Sequence, residues 1–215
     1  MVKMAKIVGY GEDSLTLWAL KERLSTILAR FNDGTLPSDC LVFYRPSFGR
    51  HSRHSKAVFG EFDAIIVSSK NVYLVESKWD NLAENDNEEI RLGRQQELRH
   101  EIFAWYLMNW DKKYSDNWES FVEEKQPYLR RKFGKTIPHT NRLLARNLKL
   151  ILERIREHCT TSLSEDSIKN VLLFFHNGEK SKPPKKTSRP FEIVSIDYGK
   201  EIEDNFVTLF GNKRF

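Results

Sequence analysis

Three side chains in this sequence have the types and spacing for chemistry on a phosphate ester: Asp63, Glu76 and Lys78. A divalent cation of the magnesium type takes carboxylate, carbonyl and water oxygens in octahedral geometry, and phosphodiester hydrolysis needs at least two carboxylates on rigid elements. Asp63 closes the run Gly60-Glu61-Phe62-Asp63 at the start of one apolar stretch, and Glu76-Ser77-Lys78 ends the next. In this reading Asp63 and Glu76 hold the metal and the peptide carbonyl of Ser77 adds an oxygen. Lys78 orients the attacking water and offsets charge on the phosphate. Alternation along a strand puts Glu76 and Lys78 on one face, and likewise Glu61 and Asp63.

These residues need a rigid support, and the flanking pattern supplies it. Strand character runs from Ala57 through Val67, turns at Ser68-Ser69-Lys70-Asn71 and returns over Val72-Tyr73-Leu74-Val75, which reads as an antiparallel hairpin. Ahead of it, Asp13 or Ser14 caps a helix with apolar positions at Leu17, Leu20, Leu24, Ile27, Leu28 and Phe31, stopped by Asn32-Asp33-Gly34. Cys40 to Tyr44 reads as a strand ended by Pro46. After the hairpin, helical spacing extends from about Asn87 to Trp110 and carries Gln95 and Gln96. Trp118 and Phe121 suggest a short helix, Gly134 to Pro138 breaks the chain, and Leu143 to Ile155 forms another strong helix. Val171 to Phe175 and Phe191 to Ile196 read as buried strands. The order predicts an α/β fold, a mixed β-sheet flanked by helices, in one domain over 1–215 with a helical insertion at 84–160.

Composition narrows the setting. A chain of 215 residues can bury a sizeable core without disulfide staples. Cys40 and Cys159 stand alone, with no zinc-ligand spacing, which fits a reducing compartment while leaving one disulfide open. Nothing resembles a signal-peptide core, and no apolar run approaches the roughly 18 residues of a membrane span, so a soluble cytoplasmic protein is expected. The net charge of +5 suits a polyanionic partner and is also common among proteins that bind none.

Gly60-Glu61-Phe62-Asp63, followed after twelve residues by Glu76-Ser77-Lys78, resembles the PD-(D/E)XK nuclease superfamily, with Phe62-Asp63 in place of its Pro-Asp dipeptide. The wording is similar to the branch of Holliday-junction resolvases and RecB-like small nucleases, and the match spans Gly60 to Trp79. The resemblance implies a restriction-endonuclease-like fold and hydrolysis of DNA phosphodiester bonds, with an endonuclease favoured. It also implies magnesium, with manganese as a substitute, and a homodimer. It points to Glu22 as the first-helix glutamate that completes the metal site, with Glu12 a weaker substitute. Gln95 or Gln96 would approach the metal-bound water or the phosphate.

Glu-x-Lys alone means little here, since Glu123-Glu124-Lys125 repeats it on an expected helix with no partner strand. The loop from Ser47 to Lys56 carries Arg50, His51, Arg53, His54 and Lys56 just before the Asp63 strand, a position suited to holding phosphates. A second basic loop, Gly178 to Pro190, lacks that proximity. Trp79 is the aromatic side chain placed to wall the site or meet a base, while the remaining aromatic residues follow no stacking motif. The alternative function is a non-catalytic nucleic-acid-binding or assembly protein that retains the fold, and nothing in the sequence separates DNA from RNA.

Overall fold

The computed structural model describes residues 6–48, 60–79, 89–178, 182–187, 191–199, 202–203 and 206–210. Arg50, His51, Arg53, His54 and Lys56 of the first basic loop, and Lys180 and Arg189 of the second, lie outside the described residues.

From the N-terminus, β1 (Ile7–Tyr10) leads through Gly11, at φ +83°, into α1 (Gly11–Glu22), and α2 (Leu24–Arg30) follows. The sequence predicts one helix here, but Arg23 leaves helical geometry at φ −124°, ψ 12°. The break lets each half bury its own stripe, Leu15, Trp18 and Ala19 in α1 and Leu24, Ile27 and Leu28 in α2. Asn32, left-handed at φ 53°, terminates the second half where a stop is expected.

Next come β2 (Leu41–Tyr44), β3 (Ala64–Val67), β4 (Val72–Trp79) and the short β5 (Glu89–Ile90). Three helices follow, α3 (Arg94–Asn109), α4 (Trp118–Phe133) and α5 (Leu143–His158). The chain then forms β6 (Ile168–His176), β7 (Lys186–Thr187), β8 (Glu192–Asp197), β9 (Ile202–Glu203) and β10 (Phe206–Phe210). The third helix starts later than the spacing predicts, because Glu89 and Ile90 pair with Lys186 and Thr187 and Gly93 caps the helix. The fourth is longer than the short helix expected. It runs sixteen residues with Pro127 inside it, anchored by buried Trp118, Phe121 and Leu129 and closed by left-handed Gly134.

The main sheet has the order β2-β3-β4-β6-β8, antiparallel from β2 to β4 and parallel from β4 to β8. It is thus a mixed sheet, and helices cover both faces. Alternation sorts its residues into two layers. Ile65, Val67, Val72 and Leu74 pack with α3, α4 and α5. Ala64, Ile66, Tyr73 and Val75 pack with α1 and α2, joined by Val207 and Leu209 of β10. Burial on both faces explains why β3 and the centre of β6 read as unbroken apolar runs. Each such Val, Ile or Leu contributes about 1.5–3 kcal/mol. A separate three-stranded sheet, β1-β10-β9, joins the two ends of the described chain. No helix among the described residues is long and apolar enough to cross a membrane.

At the turn end of the β3–β4 hairpin, Asp33 is a buried hub. Its carboxylate accepts from Ser68 Oγ at 2.6 Å, Tyr73 Oη at 2.6 Å, Asn71 Nδ2 at 2.9 Å and Thr35 Oγ1 at 2.7 Å. Burial alone would raise its pKa, but these hydrogen bonds outweigh it and hold the carboxyl far below the usual range. The stabilisation is therefore present above the ordinary aspartate pKa and is lost as pH falls through the depressed folded value. Replacing Asp33 with alanine strands several buried donors, so a loss of about 2–4 kcal/mol is expected in urea denaturation at neutral pH. The exposed neighbour Asp39, changed to alanine, should stay within about 0.5 kcal/mol of wild type.

Candidate functional site

The other end of the hairpin carries the candidate site. Ala64 faces Val75 in the β3–β4 register, and the Asp63 N–H donates to the Val75 carbonyl at 3.2 Å, so Asp63 lies beside Glu76 on the neighbouring strand. The regular strand begins only at Ala64, because the chain bends at Asp63. Phe62 packs inward on Phe48 and Phe103, while the Glu61 carboxylate accepts from Arg45 Nε at 2.5 Å.

Glu76 is only 2% exposed. An isolated ionised carboxylate at that depth is costly, so its partners decide what form it takes. All three come from one face of α3. Gln96 Nε2 donates to Glu76 Oε2 at 2.8 Å, the Arg99 guanidinium pairs with Oε1, and His100 Nε2 lies 3.3 Å from Oε1. Positions 96, 99 and 100 have the i, i+3, i+4 spacing of a single helix face. Gln96 also accepts the Gly93 N–H at 2.9 Å, which joins the helix cap to the site. Burial would raise the Glu76 pKa, but His100, Arg99 and Gln96 outweigh it and keep the group ionised.

The supports of these donors are equally specific. The His100 ring lies between Phe62 and Phe191, at centroid distances of 4.9 and 4.7 Å, with Nδ1 2.9 Å from Asn170 Oδ1. Arg99 stacks over Phe62 at 5.4 Å. Gly60 has φ +100°, and a Cβ there would stand 2.9 Å from Arg99 Nη1, so this glycine gives both the turn and the room for the guanidinium.

Asp63 has the opposite environment. Burial first, and then the charge of Glu76, push its carboxyl up to about 6, although the Ser77 N–H, which donates to Oδ2 at 2.7 Å, pulls it down. Among the described residues Oδ1 has no hydrogen-bond partner. On the α1 side, Glu12 Oε2 accepts the Trp79 N–H at 3.0 Å and Oε1 lies 3.6 Å from Lys78 Nζ. Thr16 Oγ1 sits 2.8 Å from the buried Ser77 hydroxyl. Trp79 Nε1 donates to the Tyr198 hydroxyl at 2.8 Å, which fixes the indole beside this end of the sheet.

Asp63, Glu76, Ser77, Lys78 and Gln96 are therefore neighbours. Glu22 and Gln95 are not among them. Glu22 sits at the last position of α1, paired with Lys21, about 15 Å along the helix axis from Glu12 at its first turn. Gln95 is exposed, one residue and about 100° of helix away from the face of Gln96. Arg99 and His100 were visible in the sequence only as polar residues on a stripe continued by Phe103 and Leu107, which now proves to be the stripe facing Glu76. The second Glu-x-Lys lies on α4 with Glu124 paired to Lys113 and Lys125, away from any strand.

The donor set suits a hard cation. Asp63 offers an open oxygen, and a carboxylate has about four lone-pair sites, of which the donors to Glu76 take three. Among the described residues no group of three or more His, Cys, Asp or Glu forms a metal cage. Two carboxylates completed by water and phosphate oxygens is the arrangement magnesium usually adopts.

The raised Asp63 carboxyl has a measurable consequence. Between about pH 4 and 6 the folded chain holds a proton that the unfolded chain has released, so this group's contribution to stability falls as pH rises through that window. Asp63→Asn keeps the acceptor for the Ser77 N–H and removes the charge. It should be about 1–2 kcal/mol more stable than wild type at pH 7.5 without divalent cation, and equal to it near pH 4. Parallel stability–pH curves for the two proteins would contradict the assignment.

Comparison of the chain with protein-family models, with curated proteins and with solved structures finds no match.

Proposed function

We propose that this protein is a metal-dependent nuclease that hydrolyses DNA phosphodiester bonds, with endonucleolytic cleavage favoured. The observation that carries the reading is the pairing of Asp63 and Glu76 on adjacent strands, one carboxyl pushed up to about 6 and the other held ionised, with Lys78 two residues beyond Glu76. Carboxyl groups whose environments drive their proton affinities apart mark sites built for chemistry more often than for stability.

Asp63 and Glu76, with the Ser77 carbonyl, would hold a magnesium or manganese ion, which supplies Lewis-acid polarisation of a phosphoryl oxygen and a more acidic bound water. The chain's own residues do the rest. Gln96, Arg99 and His100 fix the Glu76 carboxylate in one orientation, so the site needs little reorganisation during reaction. Lys78, near Glu12, offers an ammonium that donates to a water or phosphate oxygen and offsets the charge that develops there. Trp79 borders the site with its indole locked by Tyr198.

One observation favours the alternative of a non-catalytic nucleic-acid-binding protein: the donors around Glu76 already satisfy most of its carboxylate. Cleavage of labelled linear, branched and single-stranded DNA with magnesium or manganese separates the two. Wild type should cut, and Asp63→Ala and Lys78→Ala should each lose at least about 100-fold in rate. Magnesium should also raise the melting temperature of wild type and leave that of Asp63→Ala unmoved. Tight metal-independent binding without cleavage by any form would sink the enzyme reading. The same assay distinguishes the two glutamates of the first helix. Glu12→Gln should slow cleavage at least about tenfold, as loss of a group that orients the catalytic lysine, whereas Glu22→Gln should match wild type.

A further inference from the structure

The charge of this chain is unevenly placed. Residues 125–152 contain eight Lys and Arg and no Asp or Glu. The rest of the chain, with 27 cationic against 30 acidic side chains, is net negative, so this one segment accounts for the whole positive balance. It comprises the second half of α4, the connection through Gly134 and Pro138, and the first ten residues of α5.

Ordinary structural roles account for part of it. Lys125 pairs with Glu124, and Lys149 pairs with Glu153 one helical turn on. Arg130, Arg131 and Lys132 in the last turn of α4 complement the helix dipole. Arg142 and Arg146, however, stand at the N-terminal end of α5, where the dipole disfavours cations. Arg130, Arg131, Lys132, Arg142 and Arg146 are all exposed, and none has a carboxylate partner among the described residues. Arg131 lies over the ring of Tyr128, itself 59% exposed, at 5.9 Å.

We infer that this α4–α5 surface is a second nucleic-acid contact that grips the phosphate backbone. Arginine dominates the unpaired cations, and its planar fork matches phosphate oxygens in a bidentate way that lysine cannot. Exposed cations without acidic neighbours present the field that a polyanion neutralises on binding. The apolar stripe of α5, Ala145, Leu148, Ile151, Leu152 and Ile155, is buried against the core. Only Leu143 and Leu150 remain exposed on that helix, too little for insertion into a lipid surface. The arginines belong to α4 and α5, whereas Glu76 lies on β4 and Asp63 just ahead of β3. The inference therefore stands apart from the hydrolytic reading.

Fluorescence anisotropy with labelled duplex DNA, single-stranded DNA and RNA, in EDTA so that no cleavage occurs, tests it. The triple variant Arg130→Gln/Arg142→Gln/Arg146→Gln should lower the slope of log affinity against log salt by about 2–3, since each lost phosphate contact removes roughly 0.7–0.9. The three probes distinguish which nucleic acid supplies the phosphates. Arg94→Gln/Arg154→Gln, which removes two exposed arginines already paired with Glu97, Glu101 and Glu157, should bind like wild type. An unchanged slope in the triple variant with an intact melting curve overturns the inference. So does binding of wild type to vesicles of anionic lipid with none to the nucleic acids. Binding with the expected slope change but no cleavage by wild type in magnesium would leave this surface standing while the nuclease reading fails. Cleavage by wild type with an unchanged slope in the triple variant would do the reverse.

Discussion

The constraint on which the rest of the site depends is the burial of one negative charge, Glu76, on a strand at the centre of the sheet. A carboxylate there costs several kcal/mol unless it is paired and hydrogen-bonded. The solution fixes much of its surroundings. α3 must present Gln96, Arg99 and His100 together, Gly60 must lack a side chain to admit Arg99, and Phe62 and Phe191 must hold the His100 ring. Well-packed apolar side chains in place of such a buried charged cluster are often no less stable. Stability alone therefore gives no reason for a carboxylate at this point.

Asp33 makes the contrast within the same hairpin. It too is a buried carboxylate, but its donors are neutral groups, Ser68, Tyr73, Asn71 and Thr35, and they tie the turn of β3 and β4 to the loop after α2. Its proton affinity falls because hydrogen bonds to the charged form are abundant. Asp63, at the opposite end, has among the described residues a single backbone donor, a second carboxylate beside it and an oxygen without a partner, and its affinity rises. One aspartate is saturated by its fold, and the other keeps capacity for something the chain does not itself provide.

The elements that the sequence revealed were those with strong periodicity. The β3–β4 hairpin, α5 and the two later sheet strands follow from apolar patterns that burial on one or both faces requires. The break at Arg23 was not legible, because the apolar spacing continues across it. Nor was the β1-β10-β9 sheet, whose strands are only two to five residues long and whose partners lie at opposite ends of the chain. At the site, Asp63, Glu76 and Lys78 could be named from spacing, whereas the choice between Gln95 and Gln96, or Glu12 and Glu22, turns on helix phase and on which end of a helix meets the sheet. Those depend on the start of α3 at Arg94 and of α1 at Gly11, and helix ends are weakly encoded. His100 was hidden for a related reason: its position belongs to an apolar stripe, and only the buried charge opposite explains a polar residue there.

Electrostatics links the two ends of this picture. Around the hairpin end, Glu12, Asp63 and Glu76 face Lys78 and Arg99, a cluster that is net negative when Asp63 is ionised. Such a spot repels a phosphate unless a cation joins it or Asp63 takes a proton, and the raised Asp63 carboxyl expresses that same unmet negative charge. The arginines of α4 and α5 that lack a carboxylate partner among the described residues stand on other elements than this cluster. If the partner is a polyanion, as proposed, attraction for it and local compensation for its phosphate come from different residues. On the proposed reading the helix-borne arginines would supply the first, and whatever binds the Asp63 oxygen left without a partner among the described residues would supply the second.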